Sequence, residues 1–129
     1  MNRRRTTLAA LNAWKKREFS YGDADCCQFA AFVAEKVTGT DYVARFTYDS
    51  EAAAQRIIEA CGSLGELVRT VLGDPSDDLE DGDPVLLKIP LVGEVVGVKL
   101  GNRAVALSPT SMLEIDPRYI VEGWHVCPR

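Results

Sequence analysis

The chain changes texture in its middle, and that change restricts its fold more than any other feature. Up to about residue 73 the apolar residues recur at three- and four-residue steps, the period of helices lying on a core. From Val85 onward they fall into short β-branched runs separated by turn residues, the signature of strands. Between the two lies 74–83, with Asp74, Asp77, Asp78, Glu80, Asp81 and Asp83 and no base. Helices in one block and strands in the next predict an α+β domain, its N-terminal helices packed on a C-terminal antiparallel sheet. The 129 residues suffice for one domain with one core. It divides into a helical half over 1–73, an acidic linker over 74–83 and a β half over 84–129. The linker reads as solvated by mutual repulsion, because the ligand order of a calcium loop is missing.

The first helix is expected over 6–17. Leu8, Leu11 and Trp14 form its stripe, and Arg3, Arg4, Arg5, Lys15, Lys16 and Arg17 crowd its ends. That basic cluster reads as a solvated face, with docking on an acidic partner as the sharper reading. A second helix is expected over 25–37. Cys26, Phe29, Ala30, Val33 and Val37 share one face, and Gly39 ends it. A loop over 40–49 carries Tyr42, Phe46 and Tyr48. Ser50 caps a third helix to residue 60, with Ile57 and Cys61 inward. Ser63 and Glu66 make a capping box for a fourth, with Leu64, Leu67, Val68 and Val71 inside and Gly73 at its end. Strands are expected over 85–89, 94–100, 104–107, 112–115 and 124–127. Gly101-Asn102 forms a hairpin turn, and a turn of helix covers 117–120.

The chemistry concentrates at the start of the second helix. Asp25 is a good N-cap, and Cys26 follows at the first helical position. Open backbone N–H groups and the positive end of the helix dipole favour a thiolate there. The plainer reading makes Cys26 and Cys27 small buried apolar residues. The other cysteines are Cys61 and Cys127, and no CxxC pair exists. Cys26 and Cys27 point different ways on a helix, so they are poor partners for each other. His125 and Cys127 stand two apart and would seed a metal site with Cys26 or Cys61. The paired short spacings of zinc sites are missing, however, so free thiols are expected and no metal or cofactor is assigned.

The run from Phe19 to Phe32, an aromatic-Gly segment followed by Asp25-Cys26 opening a helix, resembles the nucleophile motif of the NlpC-type cell-wall peptidases. Gly82-Asp83-Pro84-Val85-Leu86-Leu87 is similar to the Gly-Asp that precedes a strand in those enzymes. Val95-Val96-Gly97-Val98-Lys99-Leu100-Gly101 is similar to the strand that carries their catalytic histidine. The resemblance implies a papain-like fold with Cys26 as nucleophile and Tyr21 adding a hydroxyl near the oxyanion. The histidine position falls on Val95. The only histidine in the chain is His125, expected in a terminal strand and too far from Cys26 to act on it. A hydrolase without its imidazole loses several orders of magnitude in rate. The resemblance therefore implies a lapsed enzyme, with Cys26 kept as a packing residue facing the strand that holds Val95.

The layout also resembles a group of small phage tail proteins that share Trp14, Tyr21-Gly22, Asp25-Cys26, Phe29-Ala30-Ala31, Gly82-Asp83 and a Gly97-Val98-x-Leu100-Gly101 strand without histidine. That likeness implies a structural or adaptor protein of the tail tip. Its partners would be other tail proteins, namely the hub or the distal and fibre-bearing proteins. It would be assembled in a bacterial cytoplasm into the virion tail. An active peptidase or amidase cutting peptidoglycan, with Cys26 as nucleophile and His125 as base, is the alternative. A thiol-dependent transferase or metal binder using Cys26, Cys61, His125 and Cys127 is a third. Net charge of −4 and a pI near 5.0 argue against nucleic-acid binding. No membrane span is expected, since the longest apolar run is broken by Lys88, Pro90 and Glu94. No signal peptide is expected either, because the apolar stretch after Arg5 is short and runs into Lys15-Lys16-Arg17.

Overall fold

The computed structural model describes residues 2–15, 17–20, 25–42, 48–108 and 110–127. Asn2 caps the first helix, α1 (Arg3–Trp14), by accepting the Arg5 N–H at 3.0 Å. The helix begins earlier than the sequence suggests, and this turns its inward face. Thr7, Ala10, Leu11 and Trp14 are buried, while Leu8 is 40% exposed. Arg3 lies on the same stripe as Thr7 and Trp14 and therefore points inward.

Asp25 caps α2 (Cys26–Thr38), and its carboxylate accepts the Gln28 N–H at 2.9 Å. Gly39 ends the helix at a φ of 81°, a left-handed conformation that glycine adopts without strain. Phe29, Ala30, Val33, Ala34 and Val37 are buried, which makes α2 the central helix. Ser50 caps α3 (Glu51–Cys61), and Ser63 caps α4 (Leu64–Leu72) by accepting the Glu66 N–H at 3.1 Å. α3 buries no residue at all, so Ile57 and Cys61 are not core residues. Their stripe is apolar, but α3 packs mainly on α4 and not on the sheet. In α4, Leu64 and Val68 are buried, and Leu67 and Val71 only half so.

The strands are β1 (Pro84–Ile89), β2 (Gly93–Leu100), β3 (Arg103–Leu107), β4 (Met112–Ile115) and β5 (Ile120–Gly123). A single 3-10 turn over Pro117–Tyr119 leads into β5. All pair antiparallel in the order β4-β3-β2-β1-β5, so the last strand returns to the far side of the first. The architecture is α+β, with N-terminal helices on a C-terminal antiparallel sheet. Side chains alternate between the two sheet faces. Leu86, Val96, Val98, Val105 and Leu107 join Trp14, Phe29, Val33 and Leu64 in the core under the helices. Val85, Leu87, Ala104, Ala106 and Ile115 make a second cluster on the other face, with Val95, Leu79 and Tyr119 against it. Gly97 permits this closeness, since a Cβ there would lie 2.6 Å from the Val105 carbonyl oxygen.

Residues 124–127 are irregular where a strand is expected. They are held by side chains instead. Trp124 is buried and its ring N–H donates to the Gly73 carbonyl at 2.9 Å, closing the end of α4. The acidic stretch also departs from expectation at its end. Asp83 is fully buried, and Leu79 packs over Gly123.

Candidate functional site

The two groups that a cysteine hydrolase needs lie apart, Cys26 at the N-terminal end of α2 and His125 beside Asp83 near the other. At the N-terminal end, Cys26 stands at the first helical position, half-buried, with Asp25 buried beside it. The Cys27 thiol and the backbone of Val96 lie beside the Cys26 sulfur. It thus faces β2, as expected. Its pKa is lowered, chiefly by the Cys27 thiol, against the opposing effects of burial and the Asp25 carboxylate. The Cys27 pKa is raised well above the ordinary thiol value, because it lies against Cys26 and is itself buried. Cys26 is therefore the more acidic of the two thiols. The two thiols perturb each other's titration without being joined to each other. All four cysteines are free thiols.

Tyr48 completes this end. It lies beside Asp25 and Gln28, and its pKa is raised, first by burial and then by Cys27 and Asp25. No sequence pattern singles Tyr48 out, because it reaches Asp25 from a loop across the fold. The Tyr21 assignment, the Gly22 turn, Lys16 and Phe46 lie outside the described residues. Cys27 also faces a cavity of about 110 Å³ between α2, α3 and α4, walled by Ala30, Ala34, Ile57, Val68 and Leu72. The walls are mostly apolar, with Gln28, Tyr42 and Tyr48 as the polar side chains beside Cys27.

His125 belongs to the other end. Its Nδ1 lies 2.9 Å from Asp83 Oδ2 and its Nε2 lies 3.5 Å from Glu80 Oε2. Asp83 is the hub of this cluster. It accepts Arg3 Nη2 at 2.6 Å and the Val126 N–H at 3.0 Å on one oxygen, and the Glu80 N–H at 2.7 Å on the other. Arg3 reaches the Val126 carbonyl at 2.8 Å and the Asp81 carbonyl at 3.0 Å as well. Arg4 leans on Asp81 at 3.7 Å. Arg3, the first arginine of the basic cluster, is thus an internal partner, while Arg4 makes only a surface ion pair. The carboxylates also offset the unfavourable placement of three arginines at the positive end of α1.

Gly82, next to this hub, backs onto Val33 and Val37, two to three turns along α2 from Cys26. At about 1.5 Å per residue that is roughly 10–16 Å. His125 therefore cannot take a proton from Cys26, for which hydrogen-bond reach is needed. Val95 adds a second obstacle. It packs in the cluster on the sheet face turned away from α2, while its neighbour Val96 faces Cys26. A histidine at 95 would point away from the thiol. Among the described residues, no group of three or more His, Cys, Asp or Glu side chains could hold a metal ion. No helix among them is long and apolar enough to cross a membrane.

Residues 2–126 match the family described as a domain of unknown function, DUF6950, and the chain belongs to that family. No curated protein matches the chain.

Proposed function

We propose that this protein is a structural or adaptor component of a phage tail tip, built on a papain-like scaffold whose hydrolase chemistry has lapsed. The separation of thiol and imidazole carries the loss of chemistry. Cys26, its pKa lowered, stands at one end of α2, while both nitrogens of His125 are engaged by carboxylates near the other. A thiolate without a general acid cannot protonate the leaving amine, so amide cleavage stalls even where attack occurs. The tail reading is supported by the order of Trp14, Asp25-Cys26, Phe29-Ala30-Ala31, Gly82-Asp83 and the histidine-free strand around Gly97. Its partners are then other tail proteins.

Two measurements test the two halves. Mass spectrometry of purified virions from a phage encoding the chain should find it in the tail fraction, and its absence there would remove the tail reading. Purified protein incubated with muropeptides should release no product. Turnover that Cys26→Ser abolishes would establish the active peptidase instead, the reading favoured by the lowered Cys26 pKa.

A further inference from the structure

α3 carries an apolar stripe and buries none of it. Its Ala54, Ile57 and Ile58 face the cavity of about 110 Å³ and not a filled core. Ala30, Ala31 and Ala34 of α2 form the facing wall, and Pro84 and Val96 of the sheet close the floor. Protein interiors pack at the density of organic crystals, and larger side chains at these alanines would close the space. A cavity kept open by small residues from two helices is thus a departure from packing that the fold does not require.

The walls set the chemistry of an occupant. The cavity is half-open to solvent, so a molecule can enter while the helices stay folded. Its polar groups gather at one end. Gln28 lies in the first turn of α2 with Tyr48 beside it, whereas the alanines and isoleucines line the rest. Asp25 stands against Tyr48 at that end and disfavours a second carboxylate there. An occupant therefore combines an apolar body with an uncharged hydrogen-bonding head. Volume sets the size of the body. A dry apolar cavity of about 150 Å³ holds benzene, so this one takes roughly four to six carbons. Enclosure by three helices and the sheet favours a small molecule over a partner's surface, because ligand sites bury most of the ligand they hold.

We propose that the cavity between α2, α3 and α4 binds a small neutral aliphatic molecule, a short-chain alcohol or amide, with its head at Gln28 and Tyr48 and its chain against Ala34 and Ile57. The inference does not depend on the tail assignment, because it is read on the purified chain.

Methyl NMR of the purified protein titrated with hexan-1-ol tests it. The methyls of Ile57, Ile58, Leu67 and Val68 should shift together and saturate with a Kd on the order of 1 mM, weak because few ligand atoms are buried. Hexanoate should bind at least about tenfold more weakly, since its carboxylate would meet Asp25. Ala54→Leu fills the cavity. It should keep the melting temperature at or above the parent's and weaken hexan-1-ol binding at least about tenfold. Gln28→Leu removes the amide and keeps the wall. It should weaken hexan-1-ol about fivefold and leave benzene binding at the parent's value. Methyl shifts that are absent at about 10 mM hexan-1-ol, or spread evenly over both faces of the sheet, overturn the proposal. So does hexanoate binding as tightly as the alcohol, or either variant binding hexan-1-ol like the parent. Shifts of the same methyls with protein concentration alone would give the cavity to a second copy and overturn it as well.

Discussion

Cys26 and Asp83 show how the groups around a side chain decide its role. The Cys26 pKa is lowered by the adjacent Cys27 thiol and, to a smaller extent, by the backbone of Val96 and Cys27. Replacing Cys27 with alanine removes the first of these, so the Cys26 titration followed by thiolate absorbance should move up in pH. The sign for stability follows. The folded pKa lies below the unfolded one, so the unfolded chain binds more protons in the interval between them. Stability contributed by Cys26 should therefore rise with pH across that interval and level off above the ordinary thiol pKa. Cys26→Ser should flatten that slope in urea unfolding. Asp83, by contrast, is a fully buried carboxylate held by four donors, two of them from Arg3 and His125. Arg3→Ala leaves it without its cation and should cost about 3 kcal/mol or more in urea unfolding. Arg5 is exposed, and Arg5→Ala should be near neutral. Equal losses for the two would contradict the internal role of Arg3.

At the scale of elements, register decides whether a residue reaches the site. Val95 and Val96 are neighbours in sequence, yet they lie on opposite faces of β2 because side chains alternate. Val95→His should leave the iodoacetamide reactivity of Cys26 at the parent rate. Val96→His should raise it where the variant still folds, and a tenfold rise in the first variant would refute the register argument. α3, with no buried residue, should be the helix that opens first, its amides exchanging faster than those of α2. Much of this was legible beforehand. Capping residues Asp25, Ser50 and Ser63 mark three helix starts, and the β-branched runs mark four of five strands, because these signals are local. The fifth strand and the irregular 124–127 were misplaced, since Trp124 and His125 are held by Gly73 and Asp83 from far along the chain. Arg3 escaped for a similar reason. Its inward direction depends on a helix start three residues earlier than the apolar pattern implies.

The whole molecule is an α+β domain in which the N-terminal helix, the acidic stretch and the C-terminal segment are joined at Asp83, while the thiol stands at the opposite end of the central helix. The staple explains why the acidic stretch ends buried, and it fixes His125 where it cannot serve Cys26. On the proposed reading the protein acts through its surface and its assembly. The most direct measurement is a plaque assay on phage carrying Cys26→Ser in this gene, with tails inspected for completeness. The substitution keeps the shape of the side chain and removes a thiol that, on this account, has no chemistry to perform. Whole tails and plating close to the parent's are the predicted result. Whole tails on phage that no longer infect would contradict it, because the thiol would then be needed for a reaction at the cell wall.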